Sequence, residues 1–228
     1  MPKVMGILGG ISPVSTIRYY ERIIELYYQR KQDYHHPEIA IYSLDFQHFT
    51  DLENRADRAE YIEEIVRGIR CLARSGADFA MMAANSPHAV FKEVESRIEI
   101  PLLSIVDVTA KKASNLQLER LLLLGIKFTM QSDFYRDAFQ DYGIEVISPS
   151  PSHQDEIDAM IFDELVLNII REETRDRLIE MIGCYQVNGV ILGCTELPLI
   201  LHQEIVPIPV LDTLNLHVEA ALDCALGG

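Results

Sequence analysis

The sequence predicts an α/β fold built on parallel sheets, and three observations carry that prediction. Short apolar runs alternate from end to end with longer stretches whose apolar residues recur at helical spacing. The runs are apolar at every position rather than at alternate ones, as expected of strands covered by helices on both faces. Finally, a shift of 110 residues, which carries position 84 onto 194, brings similar segments together. Ile69 falls on Ile179, Leu72 on Ile182, Met82 on Leu192, Ala84 on Cys194 and Asn85 on Thr195. Each copy reads helix, buried strand, turn of small residues, short helix and Ile-Pro strand ("EIPLLS", 99–104, against "VPIPVLD", 206–212), which suggests an internal duplication.

The elements follow in order. "KVMGIL" (3–8) reads as a strand and "STIRYYERIIELYYQR" (15–30) as an amphipathic helix. "EIAIYSL" (38–44) is a strand, and "RAEYIEEIVRGIRCLARSG" (58–76) a helix closed by Gly76. "DFAMMA" (78–83) is a strand with a helix starting near Pro87, and "PLLSIV" (101–106) a strand running into "DVTAKKAS". "RLLLLG" (120–125) is a strand, "QSDFYRDAFQDYG" (131–143) a helix and "IEVISP" a strand. Two helical patterns cross 154–187. "GVILG", a short helix, "IPVLD" and a terminal helix over 213–226 complete the chain.

Composition narrows the partners. With 48% hydrophobic and 24% charged residues the chain is an ordinary globular protein. No apolar run approaches the ~18 residues that span a bilayer. The start "MPKVMGILGG" reads as strand and turn, without the apolar stretch of a signal peptide, so a cytoplasmic location is expected. A net charge of −15 argues against nucleic acid or an anionic membrane as partner. It leaves room for a small anion, because local backbone N–H groups bind anions even on an acidic protein.

On parallel sheets ligands gather beyond the carboxyl ends of strands, so the informative stretches are "GGISP" (9–13), "SLDF" (43–46), "AANSPH" (83–88), "GIKFTMQS" (125–132) and "GCTELP" (193–198). The glycine turn lacks the G-x-G-x-x-G and GK[ST] patterns, so neither a dinucleotide nor a nucleoside triphosphate is indicated. Its plainer reading is a strand-to-helix turn capped by Ser12 with Pro13 following. Of four cysteines, Cys71, Cys184 and Cys224 lie in helical apolar patterns and read as small buried residues. Cys194 stands apart, at a strand end between Gly193 and Thr195.

If the two copies face each other, Ala84 and Cys194 would flank one cleft, suited to proton transfer at a carbon next to a carboxylate. A thiol at a helix start can have a lowered pKa, and Asn, Ser and Thr can steady an enolate. The competing reading of Cys194 is a buried strand-end residue. His88, four residues past Ala84, could carry a proton but reads more simply as bonding a backbone carbonyl. Glu196 is accounted for by the favourable dipole of a helix start. His35 and His36 have no metal-ligand spacing, and no metal is expected. The aromatic set "YYERIIELYY" fits core or a dimer surface better than a ligand box.

"MGILGGISPVSTIRYYERI", "GADFAMMAANSPHAVF" and "GVILGCTELPLIL…IPVLDT" resemble the aspartate/glutamate racemase superfamily, in its aspartate-racemase branch, over essentially the whole chain. The resemblance implies two Rossmann-like α/β lobes related by a pseudo-twofold axis, divided here as 1–113 plus 208–228 and 114–207, with the active site between them. It implies no pyridoxal phosphate, no metal and a homodimer. It also implies one catalytic cysteine in each half. Cys194 supplies the second, but Ala84 occupies the place of the first, and a methyl group can move no proton. A one-cysteine branch in which water or a nearby side chain serves the other face, a substituted residue, or a one-cysteine lyase would each account for that. By the same resemblance Asn85, Ser86 and Thr195 contact the α-carboxylate and amino group, Ser12 completes the cradle and Thr129 adds a hydroxyl. Arg171, after "IFDEL", is the candidate for a distal carboxylate, since "SLDFQHFTDL" lacks the arginine expected there. Its plainer reading is a solvated arginine at a helix end. The expected activity is cofactor-independent racemisation of aspartate or glutamate. The alternatives are the lyase, acting on a related dicarboxylate, and a catalytically weak amino-acid-binding protein.

Overall fold

A computed structural model describes residues 2–55 and 57–227 of the 228. The elements run β1 (Met5–Gly9), α1 (Pro13–Lys31), β2 (Ile39–Ser43), α2 (Phe46–Glu53), α3 (Ala59–Arg74), β3 (Phe79–Met82) and α4 (Phe91–Glu95). Then come β4 (Leu102–Leu103), α5 (Ile105–Asn115), β5 (Arg120–Leu124), α6 (Lys127–Gln131), α7 (Phe134–Gln140) and β6 (Glu145–Ile147). The chain ends with α8 (Pro151–Asp163), α9 (Glu172–Gly183), β7 (Gly189–Leu192), β8 (Val210–Asp212) and α10 (Thr213–Leu226). Three 3₁₀ turns, Ser86–Val90, Leu165–Leu167 and Leu197–Leu199, join them.

The strands form two four-stranded parallel sheets, in the orders β2-β1-β3-β4 and β6-β5-β7-β8. The second order repeats the first, and β3 and β7 sit 110 residues apart, as the shifted comparison expects. Two compact units result. Unit 1 holds the residues up to Ile105 and those from His217 onward, and unit 2 holds Val106–Leu216. The handovers fall at 105/106 and 216/217 rather than at 113/114 and 207/208. The reason at the second boundary is pairing: Val190, Ile191 and Leu192 pair with Val210, Leu211 and Asp212, so β8 completes the second sheet.

Each unit has its own core. In unit 1, α3 lays Ile65, Ile69 and Leu72 against Leu8 and Met82, with Phe49 and Leu52 of α2 at the margin. In unit 2, Ile157 and Ile161 of α8 and Leu178 of α9 cover Leu122, Leu124 and Leu192. Helix α1 buries Tyr19, Ile23, Leu26 and Tyr27, while Val14, Ile17, Tyr20 and Tyr28 stay exposed, so the aromatic set divides between core and an apolar outer face. Among the described residues no helix is long and apolar enough to cross a membrane.

Three departures from the sequence reading have local causes. Residues 101–106 do not form one strand: α5 begins at Ile105, whose N–H is taken by His88 Nε2 at 3.2 Å. The helix expected over 131–143 is broken at extended Ser132, whose hydroxyl donates to Phe128 O at 2.7 Å and closes α6. The loop after β2 contains α2, which Asp45 caps by accepting the His48 N–H at 3.0 Å.

The glycine turn after β1 leaves no freedom at Gly10. Its φ is 81°, its N–H donates to Thr16 Oγ1 at 2.8 Å, and a Cβ there would lie 2.2 Å from Leu44 O. Gly10→Ala should therefore destabilise unit 1 by at least about 1–3 kcal/mol, the cost of a left-handed non-glycine residue before the clash is added. Urea unfolding of the variant measures this, and a midpoint unchanged from the parent would contradict it.

Candidate functional site

The turns after β3 and β7 are built alike. Ala83 N–H donates to Leu8 O at 2.9 Å, and Gly193 N–H donates to Leu124 O at 2.6 Å, so each turn is pinned to the first strand of its own sheet. A buried hydroxyl then takes a carbonyl at each strand end. Ser15 Oγ donates to Ala83 O at 2.7 Å, and Thr213 Oγ1 donates to Leu192 O at 2.8 Å. Gly193 is required by close approach, since a Cβ there would meet Leu124 O at 2.9 Å.

In unit 2 this places Cys194 two residues past the last strand residue. The cysteine is 8% exposed, the buried one of the four. The expectation for the others is corrected: Cys71 and Cys224 are half-buried and Cys184 is exposed. Cys184 caps the C-terminus of α9, outside the packed stripe, with its thiol directed to Glu180 O at 3.4 Å.

The Cys194 thiol donates to Glu196 Oε2 at 3.0 Å, and the Thr195 hydroxyl donates to the same oxygen at 2.9 Å. Glu196 is 3% exposed, and its other oxygen, Oε1, is buried without a partner. This corrects two expectations. Glu196 does not serve a helix dipole: the following helix is a three-residue 3₁₀ turn, and the carboxylate makes no cap bond but folds back on the thiol. Nor is the thiol pKa lowered. Burial, and then the charge and hydrogen bond of Glu196, push it well above the ordinary value, with Asp158 adding in the same direction. The carboxylate accepts two hydrogen bonds on one oxygen and none on the other, and a buried unpaired acceptor calls for a donor.

Thr129, on α6, is fully buried with an unpaired Oγ1 and packs on the backbone of this turn, its Cγ2 3.5 Å from where a Gly193 Cβ would stand. Unit 2 thus brings Cys194, Thr195 and Thr129 together around Gly193. Arg171 sits apart from that cluster in its contacts: it is exposed at the start of α9 and bonds Glu164 Oε1 at 3.0 Å.

In unit 1 the matching turn carries buried Ala84, Asn85 and Ser86. Ser12 stands at the start of α1, its Oγ accepting the Ser15 N–H at 3.4 Å, and Ser15 in turn holds Ala83. His88 is a structural residue. Its Nδ1 meets Asn85 O at 3.2 Å and its Nε2 accepts from Ile105, so both ring nitrogens are engaged. Burial and the neighbouring His217 lower its pKa to about 3, which keeps it neutral. Sequence reasoning missed Glu53 at the end of α2. Its Oε1 accepts from Tyr61 Oη at 2.8 Å, and burial raises its pKa above the usual carboxylate value. Nothing local marks Glu53, because α2 itself was not foreseen. Among the described residues no three His, Cys, Asp or Glu side chains are grouped to hold a metal ion.

A profile of the Asp/Glu/hydantoin racemase family matches residues 8–221. The fold is similar to that of an aspartate racemase homologue from Pyrococcus horikoshii OT3, with a TM-score of 0.88 and 33% identity over 99% of this chain and 100% of that one. Picrophilus torridus aspartate racemase gives 0.78 and 26% over 98% and 94%. The broad specificity amino-acid racemase RacX of Bacillus subtilis is 29% identical over 147 residues, which cover 63% of this chain and 63% of that relative's length.

The thiol and its carboxylate make a test independent of any substrate. In a Cys71→Ser, Cys184→Ser, Cys224→Ser background, Glu196→Gln should make Cys194 titrate at lower pH, because the charge beside it is removed while burial remains. Thiolate ultraviolet absorbance against pH reads this directly, and an unchanged or higher titration point would mean that Glu196 does not govern the thiol.

Proposed function

The chain belongs to the Asp/Glu/hydantoin racemase family, and we propose that it moves a proton at Cα of an acidic amino acid through the Cys194 thiol, without pyridoxal phosphate. The observation that carries this reading is the hydrogen bond from Cys194 Sγ to Glu196 Oε2 in a buried turn.

The chemistry follows from the pair. A thiol with a raised pKa rests protonated, and only the thiolate is a base. Glu196 Oε2 receives the thiol proton as the thiolate forms. The thiolate then takes the Cα proton, becoming a thiol again, and the electrons left on Cα spread into the α-carboxylate. Glu196 Oε1, unpaired in the free protein, accepts a hydrogen bond from the substrate ammonium. Beside the thiol, Thr195 and Thr129 are the hydroxyl groups that would hold the α-carboxylate and its developing charge. In this reading Arg171 would have to leave Glu164 to reach a side-chain carboxylate, so that contact is not preformed.

Ala84 offers no proton, which leaves Cys194 as the single thiol of the proposed reaction and keeps a one-cysteine lyase as the second reading. In heavy water the parent should exchange the Cα hydrogen of aspartate or glutamate and release no carbon dioxide. Cys194→Ala should abolish both exchange and inversion, and full activity of that variant would end the thiol mechanism. Carbon dioxide release without exchange would favour the lyase.

The same reading takes a cytoplasmic homodimer as the working form, and its support is the apolar outer face of α1, where Val14, Ile17, Tyr20 and Tyr28 are exposed. Ile17→Glu should then sediment as a 25.9 kDa monomer where the parent sediments as twice that mass. Identical sedimentation of the two would remove this face as the interface.

A further inference from the structure

Helix α3 carries a stripe of charge on its outer face. Glu60, Glu63, Arg67, Arg70 and Arg74 follow one another at alternating spacings of three and four, which places them along one side of the helix. The two ends of the stripe are not equally neutralised. Glu60 is paired with Arg55, Glu63 with Arg97 and Arg67 with Glu64. Arg70 and Arg74 make no ion pair among the described residues, and backbone carbonyls hold them instead. Arg70 Nη2 donates to Arg97 O at 3.0 Å, and Arg74 Nε donates to Arg70 O at 3.2 Å. A neutral carbonyl fixes the direction of a guanidinium but leaves its charge and most of its five N–H groups unanswered. These two side chains line a groove of about 430 Å³ whose apolar lining is Ile69, Ala73, Ile98 and Ile100. Ile69 is fully buried, Ile98 and Ile100 pack against the core of unit 1, and the Arg97–Glu63 pair ties their segment to α3. An adjoining groove shares both arginines but adds Glu60, Glu63 and Glu64, so the first is the one that favours an anion.

We propose that the groove beside Arg70 and Arg74 binds a small organic anion, a carboxylate or phosphate group joined to an apolar body. Arginine recognises both head groups through paired N–H donors. The volume is that of small-molecule sites, which are apolar with a few placed polar groups. On a chain of net charge −15, two neighbouring guanidiniums without a carboxylate partner reverse the local sign and draw an anion to this place. The isoleucines then cover the apolar body. Glu99 lines the same groove and opposes the ligand's charge. The site lies wholly within unit 1, and it does not depend on the Cys194 reading. Ile69 belongs both to this lining and to the core that packs on Met82, so an occupant rests on the packing that supports the strand before Ala84.

Isothermal titration of the full chain with 3-phenylpropionate and with phenyl phosphate tests this, beside inorganic phosphate and the neutral 3-phenylpropanamide. At least one aromatic anion should bind, and the tighter of the two identifies the head group. Inorganic phosphate should bind more weakly for want of an apolar body, and the amide should not bind. Arg70→Gln and Arg74→Gln should each weaken binding about tenfold, the scale of one hydrogen bond to a charged group, and should melt like the parent. Glu99→Gln should tighten binding, and added salt should weaken it. Absence of binding by both aromatic anions at millimolar concentration would overturn the proposal. So would equal affinity in the arginine variants, which would put the anion elsewhere on the chain, or inorganic phosphate binding as tightly as phenyl phosphate. Sedimentation addresses the other occupant, a second copy of this chain. A parent dimer that becomes monomeric on Arg70→Glu with Arg74→Glu would show the groove covered by its partner and would overturn the proposal, whereas unchanged sedimentation supports an open groove.

Discussion

Two backbone hydrogen bonds set the geometry on which the rest depends: Ala83 N–H to Leu8 O and Gly193 N–H to Leu124 O. A third strand that outlasts its pairing would carry its polar groups into the interior unsatisfied. Here each strand is held to the first strand for one residue more and then released into a turn of small side chains. The hydroxyls of Ser15 and Thr213 take the neighbouring carbonyls, so the turn cannot relax back into sheet. What projects from the next position is thereby placed with the precision of the sheet itself. In unit 2 that position holds a sulfur, and in unit 1 a methyl.

The electrostatics of the sulfur follow from what surrounds it. A short 3₁₀ turn has too few aligned peptides to act as a macrodipole, so the thiol gains little from the chain that follows. Burial first, and then the carboxylate two residues away, hold the proton on sulfur. Such an arrangement stores a polarised S–H bond in place of a free anion, which in a site of this burial would be costly to leave unpaired. The buried histidines of unit 1 show the same preference for neutrality. His217, held between Tyr19 Oη at 2.9 Å and Leu103 O at 3.1 Å, has its pKa lowered to about 4 by burial.

Much of the architecture was legible because continuous apolar runs and helical spacing report burial directly, and the repeat in sheet order matches the 110-residue shift. The strand-end turns were legible for the same reason, since they lie wherever such a run stops at small residues. Three things were not. Helix α2 has few apolar residues, and its start depends on an Asp45 cap, so "SLDFQHFTDLE" reads as loop and Glu53 disappears with it. The burial of cysteines was misread because an apolar helical pattern does not give the phase of a residue at the helix end, where Cys184 sits. The direction of the Cys194 pKa was misread because sequence does not say whether "TELPL" winds as α or 3₁₀, and the carboxylate's orientation follows from that choice.

The contrast among the four cysteines also bears on how the chain meets oxidants. Peroxides and alkylating metabolites react with thiolates, and a thiol kept protonated in a buried turn is a poor target for them. Cys184, open to solvent on the end of α9, meets the same reagents first. Oxidative damage would then accumulate at a surface position while the sulfur beside Glu196 stays reduced, and the molecule would carry a record of its chemical exposure on α9, apart from the buried strand-end turn.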